Sequence, residues 1–311
     1  MLLTLRLPVR PQRVQVWAFD GLGVVLFVLF ILPTLVALYQ AQHVSLDRLS
    51  TLIVLVMVGA VALVMLVRRE RQAAFPLFPL ALLRQPTIWR SDALAACHGA
   101  ALVSLVTFLP LYLHIAQGTS AAEAGLLLLP LMFGIGTGSM VTGRTVGRTG
   151  YTTIFPSVGL IVATVLLICL GLVAPNLSHL QLGLLLFCTG LSMGTVMGVV
   201  QVTVQTAAGI ASLGSAAASV QLSRALGAAF GTALVGTVLF AVLTWRDPEA
   251  ANLFGAMVRE GQAVVAGLPA ARQAEVHAII TGAFRAAFFA IAGFTATGVL
   301  LAWTIPARRL S

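Results

Sequence analysis

Apolar residues run in blocks of about twenty along most of this 311-residue chain, broken by short stretches that carry arginine, proline or glycine. A helix of roughly 20 apolar residues crosses a hydrocarbon core of about 30 Å, so blocks of this length predict membrane spans. Eight are expected, over residues 20–40, 49–67, 91–116, 122–142, 152–174, 180–207, 214–243 and 280–303. A backbone in lipid must satisfy its own hydrogen bonds, which leaves helices and closed barrels. Several blocks outrun the segments of about ten alternating residues that a barrel strand shows. The fold class is therefore all-α, a polytopic membrane helical bundle.

Composition agrees: 59% of residues are hydrophobic and 9% charged, against roughly 25% charged in a soluble domain. The net charge of +9 comes from 18 basic residues, all arginine, against 9 acids. In a soluble protein this balance would point to nucleic acid; here the arginines sit in short loops between apolar blocks, where they orient the chain. One side receives Arg6, Arg10, Arg13, Arg68, Arg69, Arg71, Arg84, Arg90, Arg144, Arg148, Arg308 and Arg309; the other receives Arg48, Arg246, Arg259, Arg272 and Arg285, the last four grouped with the loop 244–279. The richer side is cytoplasmic, which places both termini there and the chain in the cell (inner) membrane as a multi-pass protein. Trp17, Trp89, Trp245, Trp303, Tyr39, Tyr112 and Tyr151 fall at or just beyond expected span ends, where amphipathic rings prefer the headgroup level. Cys97, Cys169 and Cys188 stand alone in apolar blocks, so no disulfide or CxxC site is expected.

Small residues at a spacing of four let helix backbones approach closely in lipid. Span six has Gly190, Gly194 and Gly198; span seven has Ser215, Ser219, Ser223, Gly227 and Gly231; span four has Gly134, Gly136, Gly138 and Gly143. Such faces serve static packing or dimerisation, or helices that tilt and slide between two states. Ionisable groups inside the spans are few. Asp20 and Asp92 are expected to cap helix starts, and Ser120 with Glu123 fits a capping box. His114 reads as interfacial. His98, about two turns into span three, and Arg224, about three turns into span seven, lie deeper. Arg224 has Gln221 one turn before it and Gln201 and Gln205 across on span six, a polar group expected to cluster toward the cytoplasmic side or, for Arg224, to snorkel. These five residues are the transport-path candidates. No HExxH, GxSxG or P-loop occurs and no inward pair of acids, so neither an enzyme, a metal site nor a cofactor is expected.

Three segments together resemble the major facilitator superfamily, in particular the fourteen-span drug:proton antiporters of the EmrB/QacA type. Leu109–Gly125 (LPLYLHIAQGTSAAEAG), followed by Leu129 and Pro130, is similar to that family's ninth span, outer turn and tenth span. Gly143–Gly150 (GRTVGRTG) resembles its G-x-x-x-D-R-x-G cytoplasmic turn, and Ser223–Gly231 (SRALGAAFG) resembles its thirteenth span. Phe19–Gly23 (FDGLG) is similar to the start of its seventh. The resemblance implies spans seven to fourteen only. It divides the chain into a cytoplasmic segment 1–19, a two-helix hairpin 20–67, an interfacial linker 68–90, a six-helix transporter half 91–303 with the extracytoplasmic loop 244–279, and a tail 304–311. Gly143, Arg144, Arg148 and Gly150 would form the gating turn, although Gly147 stands where the family has an acid. The implied function is proton-coupled efflux of hydrophobic or amphipathic small molecules, working with a missing N-terminal half or as a homo-dimer in the lipid bilayer. The other class left open is a non-transporting membrane protein, either a scaffold or an inactive remnant.

Overall fold

The computed structural model describes residues 20–40, 49–72, 80–150, 152 and 154–306. The expectations for Arg6, Arg10, Arg13, Trp17, Arg48, Tyr151, Arg308, Arg309 and the stretch 75–79 lie outside the described residues. Among the described residues the fold is all-helical: α1 (Gly21–Gln40), α2 (Leu49–Glu70), α3 (Leu80–Leu83), α4 (Pro86–Ala116), α5 (Ala121–Thr149), α6 (Ile154–Val173), α7 (His179–Ala208), α8 (Leu213–Arg246), α9 (Pro248–Glu260) and α10 (Ala270–Thr304). α3 and α9 are too short to span a bilayer. The other eight follow the expected spans in order. Seven of these are long and apolar enough to cross a membrane, and α1 adds a shorter apolar stretch over Gly21–Ala37.

Several helices, α4, α5, α8 and α10 among them, run past the apolar blocks that predicted them, because a helix ends at a cap and an apolar block ends at the lipid surface. α4 starts at Pro86, with Pro at its first position, where the missing N–H is harmless. α5 starts at the Ser120–Glu123 capping box, whose reciprocal bonds measure 3.2 and 2.9 Å. It continues to Thr149 and stops at Gly150, whose φ of 72° is the left-handed conformation of a C-terminal cap. α8 extends to Arg246, three residues past its block, and α10 begins ten residues before its block. Arg285, grouped with the loop by charge, lies inside α10 and within the expected span itself, where its Nε donates to the Gly171 carbonyl of α6 at 3.2 Å. The outer loop contributes α9, whose apolar side buries Ala250, Phe254 and Met257. Arg272 clamps α9 to the start of α10 through Asp247 (2.6 Å), Glu249 (2.8 Å) and Glu275 (2.9 Å).

α4 packs most closely on α8, and α5 on α7. α6 and α10 pair with each other, α10 also lies on α4, and α6 on α7. Exchanging α4, α5 and α6 for α7, α8 and α10 reproduces those contacts. The six helices therefore form two three-helix repeats that cross the membrane in opposite senses. The α1–α2 hairpin sits to one side, touching α8 through the Phe30–Phe230 pair at 6.0 Å. Most of α2 is exposed and apolar, as a surface that faces lipid must be.

Candidate functional site

Two apolar clusters fill the bundle, one above the other. The outer one holds Leu105, Tyr112, Met193, Val235, Phe254, Phe284, Phe288 and Ala292. The inner one holds Ile88, Leu94, Leu160, Val196, Val200, Val220 and Val299. Tyr112 is 2% exposed and packs edge-on against Phe284 and Phe288, both at 5.4 Å. This corrects its reading as a headgroup anchor: it lies one turn from the end of α4 but faces the bundle. Trp89, Trp245 and Trp303 are exposed at helix ends.

Where the two clusters meet, five of the six bundle helices hold a polar side chain. On α4 it is His98, 2% exposed, whose Nε2 lies 3.0 Å from the Met193 carbonyl of α7. A carbonyl can only accept, so Nε2 carries the hydrogen. On α6 and α10 it is Thr164 and Thr295, which share a hydrogen bond of 2.8 Å. On α7 it is Thr195, bonded to Phe155 of α6 at 3.2 Å. On α8 it is Arg224, half-buried across from Gly99 of α4, where an added Cβ would lie 2.8 Å from the Arg224 Cγ. Arg224 makes no hydrogen bond or ion pair with any described residue, and a guanidinium stays charged in a protein. A belt of polar groups thus crosses the middle of the bundle, with one unneutralised cation in it.

The remaining candidates lie closer to the end of the bundle that the arginine count assigns to the cytoplasm. Gln201 and Gln205 are half-buried on α7, and Gln221 is exposed on α8. The Gln201 Oε1 is shielded and has no partner. Among the described residues no hydrogen bond joins Gln201, Gln205, Gln221 and Arg224, so the cluster expected of them is not assembled in this conformation. His114 bonds the Thr119 carbonyl at 2.8 Å near the outer end of α4. Gly143, Arg144 and Arg148, expected in a turn, lie in the last two turns of α5 with both arginines exposed; only Gly150 makes the reversal.

The small-residue faces lie at helix contacts inside the chain. On α5, Gly134 and Gly138 sit against the backbone of α7 between Phe187 and Leu191; Gly190 and Gly194 of α7 sit against the α5 backbone between Leu131 and Ser139. On α8, Gly227 and Gly231 lie against Ala96 and Ala100 of α4. Gly198 only grazes Ser139, and nothing lies near Gly136 or Gly143. Lower on the α4–α8 seam, Ser219 Oγ is 3.4 Å from Asp92 Oδ1. Asp92 corrects the expectation of a cap. It sits in the second turn of α4, is 4% exposed, and its Oδ2 has no partner. The Pro86 signal for an earlier helix start could have revealed this. Asp20 does cap, its Oδ1 accepting from the Gly23 amide at 3.1 Å and from Arg69 of α2 at 3.3 Å.

At the outer end, a 330 Å³ cavity is bordered by Gln117, Met257, Gln273 and His277. Its polar groups are tied to backbone carbonyls: His277 to Ala116 at 2.6 Å, Gln273 to Leu268 at 2.8 Å and Gln117 to Ala174 at 2.9 Å. It lies outside the belt.

Residues 66–232 match the family model described as Major Facilitator Superfamily. Among curated proteins, the chain is 33% identical over 164 residues to an uncharacterized MFS-type transporter of Mycobacterium tuberculosis, covering 51% of this chain and 24% of that protein. It is 27% identical over 170 residues to a tetracycline resistance determinant of Streptomyces rimosus, covering 55% of this chain and 49% of that one. With the multidrug transporter protein MdtP of Bacillus subtilis it shares 25% identity over 166 residues, 53% of this chain and 30% of the other. The fold is similar to that of a bacterial homolog of the human lysosomal transporter Spinster in an inward-facing, occupied conformation. That match has a TM-score of 0.59 at 18% identity and covers 84% of this chain and 59% of the other. The chain therefore spans half or less of the length of these curated relatives.

Proposed function

We propose that this chain, which belongs to the Major Facilitator Superfamily, supplies one wall of a proton-coupled exporter of hydrophobic or amphipathic small molecules. In this reading α4 to α8 and α10 form one six-helix half, of the kind carried at the C-terminal end of the fourteen-span EmrB/QacA-type antiporters, and the α1–α2 hairpin is an accessory. The facing half is not contained in these 311 residues; it comes from further polypeptide or from a second copy of the chain. Both termini face the cytoplasm, and the membrane is the cell (inner) membrane. Transporters of this architecture bind solute near the bilayer midplane between two halves that rock against each other.

The observation that carries the reading is the polar belt between two apolar clusters, with Arg224 left without a counter-charge. An unpaired cation in a membrane interior is costly unless it meets water, substrate or a partner group. A solute-filled cleft with a facing half supplies all three. The names of the Streptomyces relative, a tetracycline resistance determinant, and of the Bacillus relative, a multidrug transporter, support the drug-like substrate class.

The test is dye accumulation in a bacterium stripped of its own efflux pumps, using ethidium as the amphipathic probe. Cells that make this chain together with a facing six-span half are expected to accumulate less dye, and a protonophore is expected to abolish the difference. Proteoliposomes containing this chain alone are expected to move no dye when a pH gradient is imposed. Gradient-driven export by the isolated monomer would overturn the proposal.

A further inference from the structure

Asp92 is the one carboxylate that the described structure buries within the six-helix bundle, and the function above makes no use of it. It sits on α4 at the seam with α8, below the belt, 4% exposed. Its surroundings can be enumerated. The Ser219 hydroxyl lies 3.4 Å from Oδ1 and also 3.0 Å from the Ala216 carbonyl of its own helix. Oδ2 has no partner, and neither does the hydroxyl of the adjacent Ser91. The other charged or titratable groups on elements packed against α4 are engaged or distant. Arg90 donates to the Thr304 carbonyl of α10, and His98 donates to Met193 of α7. Arg224 lies beside Gly99, about two helical turns along α4. Arg84, just after α3, and Arg144 and Arg148 on α5 are exposed at the cytoplasmic end. His179 of α7, and Arg272, Glu275, His277 and Arg285 of α10, belong to the outer halves of their helices, as do Arg246 of α8 and the charges of α9. Among the described residues no ion pair includes Asp92.

The hydrogen count decides which form of the carboxyl this packing accepts. Ser219 has one proton and two acceptors within reach. If Asp92 is ionised, that proton can serve the carboxylate only by abandoning Ala216, and Oδ2 is still left bare in an apolar seam. If Asp92 is protonated, its O–H donates to Ser219 Oγ, Ser219 donates to Ala216, and one relay satisfies both of these donors. A buried anion without partners is far more costly than a buried neutral carboxyl with one. A metal ion is a poor alternative occupant, since a hard cation needs a cage of several oxygens and the acidic or histidine clusters that could build one are absent among the described residues.

We propose that Asp92, with Ser219 across the seam, is a proton-binding site: the protonated pair holds the cytoplasmic ends of α4 and α8 together, and loss of the proton parts them to admit water. A small void bordered by Ser91, Thr152 and Thr203 gives that water a place beside the site. The proposal rests on the exporter reading only for its role in coupling. Proton binding and seam opening belong to this chain whether or not it exports anything.

The test uses the purified full chain in nanodiscs. N,N′-dicyclohexylcarbodiimide adds covalently to protonated carboxyls in apolar surroundings, and the adduct is located by mass spectrometry. Labelling at Asp92 is expected, rising as the pH is lowered. Spin labels at the exposed positions Trp89 and Ser215, with the three cysteines replaced, read the separation of α4 from α8. That distance is expected to lengthen as the pH rises, over the same interval in which labelling fades, and Asp92→Asn is expected to keep it short at every pH. Absence of label at Asp92 in the folded wild-type chain overturns the proposal without recourse to any variant. So does a pH-dependent separation that survives in Asp92→Asn. Normal labelling and seam motion in a chain that exports no dye with any facing half would leave the proton site standing and defeat the exporter reading instead.

Discussion

Gly227 on α8 and Gly136 on α5 offer the same chemical change, Gly to Ala within a membrane helix, with opposite expected outcomes. A Cβ at Gly227 would lie 2.5 Å from both the carbonyl carbon and the Cα of Ala96, and nearer still to the Ala96 carbonyl oxygen. Carbon atoms rest at about 3.5–4.0 Å, so α4 and α8 would have to part by roughly 1 Å, and the obstacle is backbone that no rotamer change removes. Overpacking typically costs about 1–3 kcal/mol, and the upper end applies where the neighbour cannot yield. A Cβ at Gly136 would meet nothing within 4 Å. There the only effect is helix propensity, which favours Ala over Gly by up to about 1 kcal/mol. Gly227→Ala carries the same propensity gain, so the two variants should differ by the overpacking cost alone, about 1–3 kcal/mol. The assay is unfolding by dodecyl sulfate in mixed micelles, followed by circular dichroism. Gly227→Ala is expected to unfold at a lower mole fraction of dodecyl sulfate than wild type, and Gly136→Ala at the same fraction or higher. Adding Ala96→Gly to Gly227→Ala should rescue nothing, since the clash is with atoms that glycine keeps. Equal midpoints for the two single variants, or rescue by Ala96→Gly, would refute the view that backbone contact holds this seam.

Three further outcomes are expected. Gly150→Val places a β-branched residue at a φ of 72° and should lower stability by about 1–2 kcal/mol, with Gly150→Asn closer to wild type; thermal unfolding in detergent reads both. Asp20 is held below the usual carboxylate range, first by the Gly23 amide and second by Arg69. A carboxyl lowered on folding adds stability that is present above its unfolded value of about 3.9 and is lost as the pH falls through the folded value. The clasp between α1 and α2 should therefore hold at neutral pH and loosen only in acid below about pH 4, and Asp20→Asn should remove that pH dependence from hydrogen exchange in the hairpin. His98→Ala deletes a buried hydrogen bond between α4 and α7 and should cost roughly 1–3 kcal/mol. In a complete transporter it is expected to leave the pH profile of export in place; a displaced profile would make His98, rather than Asp92, the proton carrier.

The eight spans are legible in the sequence because lipid imposes a length and a polarity on each of them, and neither depends on what the helix touches. Their ends are less legible for a related reason. Gly143, Arg144, Gly147 and Arg148 look like a loop on polarity, yet nothing breaks the helix until Gly150 supplies a left-handed cap. Residues 270–279 mix charges with alanine and so read as loop, but they extend α10, with Arg272 tying them to α9. Asp92 was obscured in the same way. Placed at the edge of an apolar block it resembles a cap, and only the helix start at Pro86 moves it inside. The small-residue spacing announced close approach without naming the partners, because a GxxxG face is the same surface whether it meets α4, α7 or another molecule. The polar belt is half visible: His98 and Arg224 stand out by charge, whereas Thr164, Thr195 and Thr295 are ordinary residues that become a layer only when five helices are aligned.

The two repeats make those partners comparable. Exchanging them carries the α5–α7 seam onto the α4–α8 seam, and both are held by glycines pressed on backbone, with Gly138 and Gly190 in one and Gly227 and Gly231 in the other. Their chemistry differs. Around the α5–α7 glycines the neighbours are Leu131, Ile135, Phe187 and Leu191, with Ser139 beside Gly194, so no group in that packed middle changes charge; Glu123 and His179 meet only at the first turns of the two helices. Along α4–α8 lie Asp92, Ser219 and Arg224. In lipid no hydrophobic force presses helices together, so a seam keeps its partners through packing and through hydrogen bonds satisfied inside it. A seam without ionisable groups has one state of lowest energy at every pH. A seam holding a carboxyl satisfied only when protonated has two, and water is the partner that the second one needs. On the proposed reading the repeat gives the six-helix bundle a fixed pair and a switchable pair built on the same backbone plan, and puts the switch on the helices that carry His98 and Arg224.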